Sequence, residues 1–225
     1  MNPLETRALY DLSHTLAAPL LEKVRYPWEA LSGIGAFIAA LGPTLSQEEY
    51  ASPRPGVWIH KTAVLAPTAF VGETVIIGPG AEVRHGAFIR GNALVGEGAV
   101  VGNSTELKNV ILFDRVQVPH YNYVGDSILG YKAHMGAGSI TSNVKSDKTL
   151  VTIKGAGDPV ETGLKKCGAM LGDLVEIGCG SVLNPGTVVG REASVYPLSM
   201  VRGYVPEGSI YKRQGEVVEK AALVL

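Results

Sequence analysis

The chain has 225 residues, of which 46% are hydrophobic and 18% are charged, and its formal net charge is −1. This balance offers no basic surface to neutralise a phosphate backbone, which argues against a nucleic-acid-binding protein. The N-terminal residues MNPLETR lack the apolar core of a secretory signal, and the longest apolar run, residues 31–41, is too short to span a bilayer. We therefore expect a cytoplasmic enzyme or binding protein, with no membrane partner.

Residues 1–56 predict a helical arm. Two stretches within residues 4–41 read as helical, TRALYDLSHTLAAPLLEKV and PWEALSGIGAFIAAL. Pro27 opens the second stretch and Gly42-Pro43 follows its end, which are common signals of helix boundaries. Pro19 is expected to divide the first stretch. We expect the arm to serve packing rather than chemistry.

From residue 59 onward the chain shows a six-residue repeat. The first position of each hexad is aliphatic and the fifth is mostly small. The first positions are Ile59, Leu65, Val71, Ile77, Val83, Ile89, Val95, Val101 and Leu107. A period of six fits neither an amphipathic helix nor an alternating strand. It fits short strands separated by tight turns, in which the large and the small residue share one face.

The repeat changes phase at residues 116–126, VQVPHYNYVGD. Phe113 keeps the period, Pro119 stands where an aliphatic residue is expected, and the repeat resumes two residues early, at Tyr123. His120 lies at this irregularity, at a corner where its side chain is expected to point outward. Local departures from a rule are expected at functional sites, and imidazole is well suited to accept a proton near neutral pH. His120 is therefore our candidate general base.

A gap at residues 145–166, KSDKTLVTIKGAGDPVETGLKK, interrupts the later repeats. It contains five lysines, and connections of this length are usually functional or mobile. Two interpretations remain open: a solvated loop, or a cationic flap that meets phosphate groups.

The repeat resembles that of the hexapeptide-repeat acyltransferases. This resemblance implies an all-β fold, a single-stranded left-handed parallel β-helix over residues 57–205, followed by a tail at 206–225. The handedness is implied by the resemblance alone. An ordinary β-sandwich is the alternative, but sandwiches do not hold a six-residue period for so long.

The segment PHYNYVGDSILG…MGAGSITSN, residues 119–143, resembles the acetyltransferase domain of the bifunctional enzymes that make UDP-N-acetylglucosamine. The resemblance implies an N-acetyltransferase that uses acetyl-CoA and a glucosamine-1-phosphate-like amino sugar. It implies His120 as the general base and Asn143 as the active-site asparagine. The other implied residues are Arg90, Lys108, Tyr123 and His134 at the amino-sugar phosphate, and Ala137 and Lys148 at acetyl-CoA.

Three departures from that family stand in the sequence. No Gly-rich LAAGxGTR segment occurs, so we expect no nucleotidyltransferase domain. Val144 replaces a tyrosine, and His134 replaces an asparagine near the amino sugar. Two hypotheses therefore remain: an acetyltransferase with an altered sugar pocket, or a non-catalytic relative that binds sugar phosphates or scaffolds an assembly.

A metal site, as in the β-helical carbonic anhydrases, is a further alternative raised by His85 and His134. Asn92 stands where that family has an aspartate, and no two histidines are five residues apart. We therefore expect no metal. Cys167 and Cys179 are two hexads apart and are expected on different faces as reduced thiols.

The spacing of the candidate residues predicts a site between chains. Arg90 and Lys108 are one coil of 18 residues apart and share a corner, whereas His120, 12 residues further on, lies on another corner. The outward sixth positions form two largely apolar columns: Ile76, Leu94 and Leu112, and Val64, Glu82, Val100 and Val118. Because a large exposed apolar patch usually marks an interface, we expect a homotrimer with inter-subunit active sites, as the resemblance also implies.

Overall fold

The computed structural model describes residues 2–220. Most of them wind into a parallel β-helix whose coils form a three-sided prism, with strands of successive coils paired in parallel. The prediction of an all-β, single-stranded parallel β-helix with an N-terminal helical arm is confirmed. Because each side is built from short strands in register, branched aliphatic side chains stack inside the prism from one coil to the next.

The three sides of the prism are called faces 1, 2 and 3. Face 1 contains Val57–His60, the second halves of Phe70–Ile77, Phe88–Val95, Glu106–Leu112 and Tyr123–Leu129, and then Ala169–Leu171, Thr187–Val189 and Tyr204–Val205. Face 2 contains Val64–Leu65, Glu82–Val83, Val100–Asn103, Gln117–His120, His134–Met135, Glu176–Ile177, Ser194–Val195 and Ser209–Arg213. Face 3 contains the first halves of the four long strands, and then Ile140–Thr141, Val182–Leu183 and Met200–Val201.

The four long strands turn from face 3 into face 1 at residues with left-handed main-chain angles. These are Thr74, Asn92, Asn109 and Asp126, with φ between 47° and 58°. Asparagine and aspartate tolerate this region better than most residues with a side chain. The turn is therefore sharp at the same place in four successive coils.

The change of phase comes from two short steps in the repeat. Ile89 pairs with Leu107, but Val95 pairs with Leu112, so the step from 107 to 112 is five residues long, not six. A second five-residue step runs from Val124 to Leu129. The inward residues near the irregularity are therefore Leu112, Val118 and Val124. The prediction that Phe113, Pro119 and Tyr123 hold these places is wrong.

The N-terminal arm is helical but divided into short pieces. Its α-helices are Thr6–Leu9, Ala18–Leu21 and Ile34–Leu41, and its 3₁₀ helices are Leu12–His14, Pro27–Gly33 and Gly42–Thr44. A proline lies in the first turn of three of these pieces, where its missing N–H and fixed φ are tolerated. No helix between residues 2 and 220 is long and apolar enough to cross a bilayer.

The arm packs on the outer surface of face 1. Ile34–Leu41 contacts the strands Phe70–Ile77, Phe88–Val95 and Glu106–Leu112. The outward side chains of Ile76 and Leu94 are fully buried as a result. Burying an aliphatic side chain stabilises a fold by roughly 1.5–3 kcal/mol, so this contact contributes substantially to holding the arm in place.

The two predicted exposed columns must be corrected. The first is not exposed, because the arm of the same chain covers it, and because Ile111 takes the outward place while Leu112 points inward. In the second, Gln117 pairs with Val100, and Val118 is buried inside the prism. Both errors follow from the five-residue step between Leu107 and Leu112, and the first follows also from the arm; the outward spacing reveals neither.

The ends of the β-helix differ from the expected boundaries. Tyr50–Arg54, within the predicted arm, forms an antiparallel hairpin with Val57–His60. At the other end Ser209–Arg213 stacks on Ser194–Val195, and Glu216–Glu219 then pairs with it in a second hairpin. The coil therefore continues beyond residue 205, and antiparallel strands border the prism at both ends.

Residues 145–166 leave the prism. A bridge between Val144 and Lys166 closes the base of this excursion. Within it Thr152–Ile153 pairs antiparallel with Val160–Glu161. Val151 is buried, and the N–H of Tyr204 donates to the carbonyl of Lys154 at 2.8 Å. The excursion is therefore packed against later coils along part of its length.

The arm contact makes a testable prediction at Ile111. We expect Ile111→Ala to destabilise the protein by about 2–5 kcal/mol, because it opens a cavity between face 1 and the arm. Val64→Ala is the matched control, since Val64 also points outward but is 64% exposed. Equilibrium denaturant unfolding measures both. Equal, small effects of the two variants would show that the arm does not cover this face.

Candidate functional site

Four of the candidate residues meet where face 3 turns into face 1, here called the Lys108 corner. Lys108 Nζ donates to both carboxylate oxygens of Asp126, at 2.9 and 3.0 Å. Asn143 Nδ2 donates to Asp126 Oδ2 at 2.6 Å and to the hydroxyl of Tyr123 at 3.2 Å. Arg90 belongs to the same corner, because Gly91 pairs with Lys108.

Asp126 is the centre of this network. The residue is 4% exposed, and its carboxylate also accepts a hydrogen bond from Asn109 Nδ2 at 3.0 Å. A buried carboxylate is costly unless its oxygens are satisfied by donors and by an opposite charge. Lys108, Asn109 and Asn143 supply these, so their side chains are held in one arrangement.

Gly125, which precedes Asp126, allows the side chains of this corner to approach closely. A β-carbon at this position would lie 2.5 Å from the Tyr123 hydroxyl and 2.9 Å from Asn143 Nδ2. Any other residue would push these groups apart. The glycine of the YVGD segment is therefore required by the packing of the site.

Arg90 and Tyr123 lie at the exposed side of the corner. Arg90 Nη1 donates to Glu106 Oε1 at 2.9 Å, and this hydrogen bond raises the pKa of the guanidinium. Four guanidinium N–H groups remain for other partners. Partial burial raises the pKa of Tyr123 above its ordinary value, so its hydroxyl stays protonated at neutral pH.

His120 lies at the corner where face 2 turns into face 3, here called the His120 corner. Its imidazole is exposed, as predicted. The main-chain N–H of His120 donates to Asn122 Oδ1 at 3.1 Å, and its carbonyl accepts from the N–H of Gly138 at 3.0 Å. The main chain on both sides of the candidate base is therefore held, while the side chain is open to solvent.

A column of equivalent residues runs along the His120 corner. Main-chain hydrogen bonds and strand pairing place His85, Asn103, His120, Ala137 and Cys179 one above the other. Ala137, Gly138 and Cys179 follow His120 and are all exposed and small. On the other side a groove of about 510 Å³ includes His85 and Asn103 in its lining. Asn103 Oδ1 is buried and has no hydrogen-bond partner among the described residues.

The two remaining predicted residues lie elsewhere. His134 is on the outer surface of face 2, where its Nδ1 and Glu176 Oε2 are 2.8 Å apart. Lys148 is exposed on the excursion. Within one chain the structure thus brings together Arg90, Lys108, Tyr123 and Asn143. It does not bring His120, His134, Ala137 or Lys148 into that cluster.

Sequence reasoning missed Glu106, Asn109 and Asp126 as members of the site. A signal was present for Asp126, which stands one coil of 18 residues after Lys108 and therefore on the same corner. No equivalent signal marks Asn109, because its partner in the arm, the Leu31 carbonyl, lies 78 residues earlier. Between residues 2 and 220, no three His, Cys, Asp or Glu side chains are grouped so that they could hold a metal ion.

Comparison with known proteins places this chain in a family. A family model described as the GMPPB C-terminal domain matches residues 73–205, more than half of the chain and a span that includes every candidate site residue. The chain belongs to this family.

Two curated relatives of this chain have names that agree with its resemblance to bifunctional enzymes. The bifunctional protein GlmU of Methanococcus maripaludis is 36% identical over 200 residues, which is 88% of this chain and 48% of the relative. A bifunctional sugar-1-phosphate nucleotidylyltransferase/acetyltransferase of Sulfurisphaera tokodaii is 31% identical over 109 residues, 48% of this chain and 27% of the relative. The chain spans about half or less of the length of these proteins.

Solved structures resemble this chain more distantly. A hexapeptide transferase family protein from Anaplasma phagocytophilum has a TM-score of 0.43 at 19% identity, over 74% of this chain and 80% of that chain. The predicted likeness to hexapeptide-repeat acetyltransferase domains is confirmed by the family and its curated relatives.

The two cysteines of the chain differ sharply in environment. Cys167 is buried beside the Lys108 corner, and burial, with a smaller effect of the Asp126 charge, raises the pKa of its thiol to about 12. Cys179 is exposed on the His120 corner. Since the thiolate is the reactive form, burial and the raised pKa both protect Cys167, whereas Cys179 is accessible.

We therefore predict that one thiol per native chain reacts rapidly with a disulfide reagent such as Ellman's reagent. The second, Cys167, should react only after unfolding. Cys179→Ser should abolish the fast phase, and Cys167→Ser should leave it unchanged. Two fast thiols in the native wild-type protein would contradict the burial of Cys167 next to Asp126.

Proposed function

We propose that this protein is an acetyl-CoA-dependent N-acetyltransferase acting on an amino-sugar phosphate of the glucosamine-1-phosphate type. One observation carries the proposal: an ordered cluster of Arg90, Lys108, Tyr123 and Asn143 at one edge of face 3, and an exposed imidazole at the other edge. The names of the curated relatives, which join sugar-1-phosphate chemistry with acetyl transfer, support it.

The Lys108 corner fits the phosphate of such a substrate. A guanidinium presents a planar fork of donors to phosphate, and an ammonium adds a compact positive charge. Glu106 and Asp126 hold Arg90 and Lys108 in place, while each cation keeps donors that a phosphate can take. The Tyr123 hydroxyl and Asn143 stand beside them as partners for the sugar.

The His120 corner fits the proton transfer. The amine nitrogen of the sugar attacks the carbonyl carbon of the acetyl thioester, and the imidazole of His120 accepts the proton that this nitrogen loses. The new C–N bond forms as the C–S bond breaks, and coenzyme A leaves as its thiol after receiving that proton. General base catalysis of this kind contributes about 10²–10⁴-fold.

The cofactor is expected to lie along the column that follows His120. Ala137, Gly138 and Cys179 are small and exposed there, which leaves room for an extended chain such as the pantetheine of acetyl-CoA. Lys148 on the excursion is then a candidate partner for its phosphates.

Face 3 provides the surface for a homotrimer. Its outward column consists of Phe70, Phe88, Glu106, Tyr123, Ile140, Val182 and Met200. Phe70 and Met200 are each 55% exposed, and the rings of Phe70 and Phe88 are 5.4 Å apart. The arm already occupies face 1, so face 3 is the exposed apolar side that remains for association.

Packing three chains around face 3 would complete the active site. His120 lies at one edge of that face and the Lys108 corner lies at its opposite edge. In a three-fold ring, the leading edge of one chain meets the trailing edge of the next. His120 of one chain would then face Arg90 and Lys108 of its neighbour, which is the arrangement the chemistry requires. A cytoplasmic location, with reduced cysteines and access to acetyl-CoA, belongs to the same proposal.

The reaction itself is tested by release of coenzyme A thiol from acetyl-CoA across a panel of amino-sugar phosphates. We expect His120→Ala to lower kcat by about 10²-fold or more, with little change in thermal midpoint, because the imidazole is exposed. His85→Ala is the matched control, since His85 is exposed on the same corner. A His120→Ala enzyme that keeps more than about a tenth of wild-type turnover would exclude His120 as the base. Binding of amino-sugar phosphates without any turnover would favour the non-catalytic hypothesis.

The shared site is tested by mixing two variants, His120→Ala and Arg90→Ala, under conditions that exchange subunits. Arg90→Ala should weaken binding of the phosphate substrate, so the assay uses a low concentration of it. Random exchange in a trimer gives about a quarter of the sites both wild-type residues, and activity should return to about that fraction of the wild type. No recovery despite demonstrated exchange, or a monomer by light scattering, would show that each chain builds its own site.

A further inference from the structure

The N-terminal arm is hydrogen-bonded to the Lys108 corner through the side chain of Asn109. Asn109 Nδ2 donates to the carbonyl of Leu31, in the 3₁₀ helix Pro27–Gly33, at 3.1 Å. The same nitrogen donates to Asp126 Oδ1 at 3.0 Å. An amide nitrogen carries two hydrogens, so Asn109 can serve both acceptors at once and links the arm to the carboxylate.

The arm that supplies this carbonyl is fixed to the β-helix at several points. The N–H of Asp11 donates to Asp173 Oδ2 at 2.7 Å, and the N–H of Asp173 donates to the carbonyl of Leu9 at 3.0 Å. The hydroxyl of Tyr10 donates to the carbonyl of Ile128 at 3.2 Å. Leu31 itself is buried. Its carbonyl therefore has a fixed position relative to the corner.

Asn109 has a neighbour that lacks this link. Asn92 occupies the same corner one coil earlier, with a similar left-handed φ, and lies against Gly35 of the arm. It takes no part in the Asp126 network within the described chain. The two asparagines therefore share the left-handed turn and the proximity of the arm. Of these two, Asn109 is the one that donates a hydrogen bond to Asp126.

We propose that the arm forms part of the amino-sugar-phosphate site and that Asn109 is its positioning residue. The Leu31 carbonyl orients the Asn109 amide, the amide fixes one oxygen of Asp126, and Asp126 in turn sets the positions of Lys108 and Asn143. The assignment of a substrate to this corner rests on the proposed function. The link from the arm to Lys108 rests only on the geometry.

The test compares Asn109→Gly with Asn92→Gly. Glycine keeps the left-handed turn at both positions, so only the side chain is lost. The first readout is the rate at which an amine-acylating reagent modifies Lys108 in the ligand-free protein, measured by peptide mass spectrometry. We expect this rate to rise several-fold in Asn109→Gly, because Lys108 leaves its ion pair with Asp126 more often, and to stay unchanged in Asn92→Gly.

The second readout is kinetic. Asn109→Gly should raise KM for the amino-sugar phosphate about tenfold, the size expected for a lost hydrogen bond to a charged group, and leave KM for acetyl-CoA unchanged. Asn92→Gly should leave both values unchanged. If Asn109→Gly does not fold, Asn109→Ser, whose shorter side chain cannot reach both acceptors, should give the same pattern.

Three results would separate the possibilities. Unchanged Lys108 reactivity in a folded Asn109 variant would overturn the proposal. Parallel rises in both KM values would also overturn it, because they indicate general loss of structure. If Lys108 becomes more reactive but the wild-type protein transfers no acetyl group, the link from arm to lysine is supported and the proposed reaction fails.

Discussion

Parallel stacking of one coil on the next decides which side chains of this protein can meet. A residue's neighbours on the same face come from one coil before and one coil after it, 16 to 18 positions away, or 42 where the excursion intervenes. Hydrogen-bonded strands keep that register, and the inward aliphatic residues lock it, because a slip of one residue would turn every inward side chain outward. The same strand register therefore determines both the packing of the core and the arrangement of the Lys108 corner. The same pairing that buries Leu107 against Val124 brings Lys108 beside Asp126.

The buried carboxylate of Asp126 then holds together the side chains that this register brings close. Asp126 needs donors for both oxygens, and it receives them from residues of the previous coil and of the following coil. Satisfying one charge in this way orders the Lys108 ammonium, the amides of Asn109 and Asn143 and, through Asn143, the Tyr123 hydroxyl. The cost of leaving a charge unsatisfied makes the arrangement specific, because few alternative positions of Lys108 or Asn143 would serve.

The sequence predicted the β-helix and the grouping of Arg90 with Lys108, because both depend on periodic spacing. It could not locate the two five-residue steps. Leu112 and Phe113 are both apolar, so spacing alone cannot tell which one points inward. The exposed column at Ile76 and Leu94 was wrongly predicted for another reason. Periodicity shows that a side chain leaves the prism, but it does not show which distant segment covers it. Asn109 was missed for the same reason, since its partner lies 78 residues earlier.

The way the arm is anchored has a consequence for the order of events during synthesis. The arm leaves the ribosome before the β-helix, and Asp173, which binds the main chain of Leu9 and Asp11, follows more than 160 residues later. The outward surface of face 1 on which the arm packs also has to be synthesised before docking can begin. During synthesis the growing chain therefore contains an apolar segment whose binding surface has not yet been made. Closing so long a loop costs conformational entropy before any contact repays it, which makes arm docking a late step of folding.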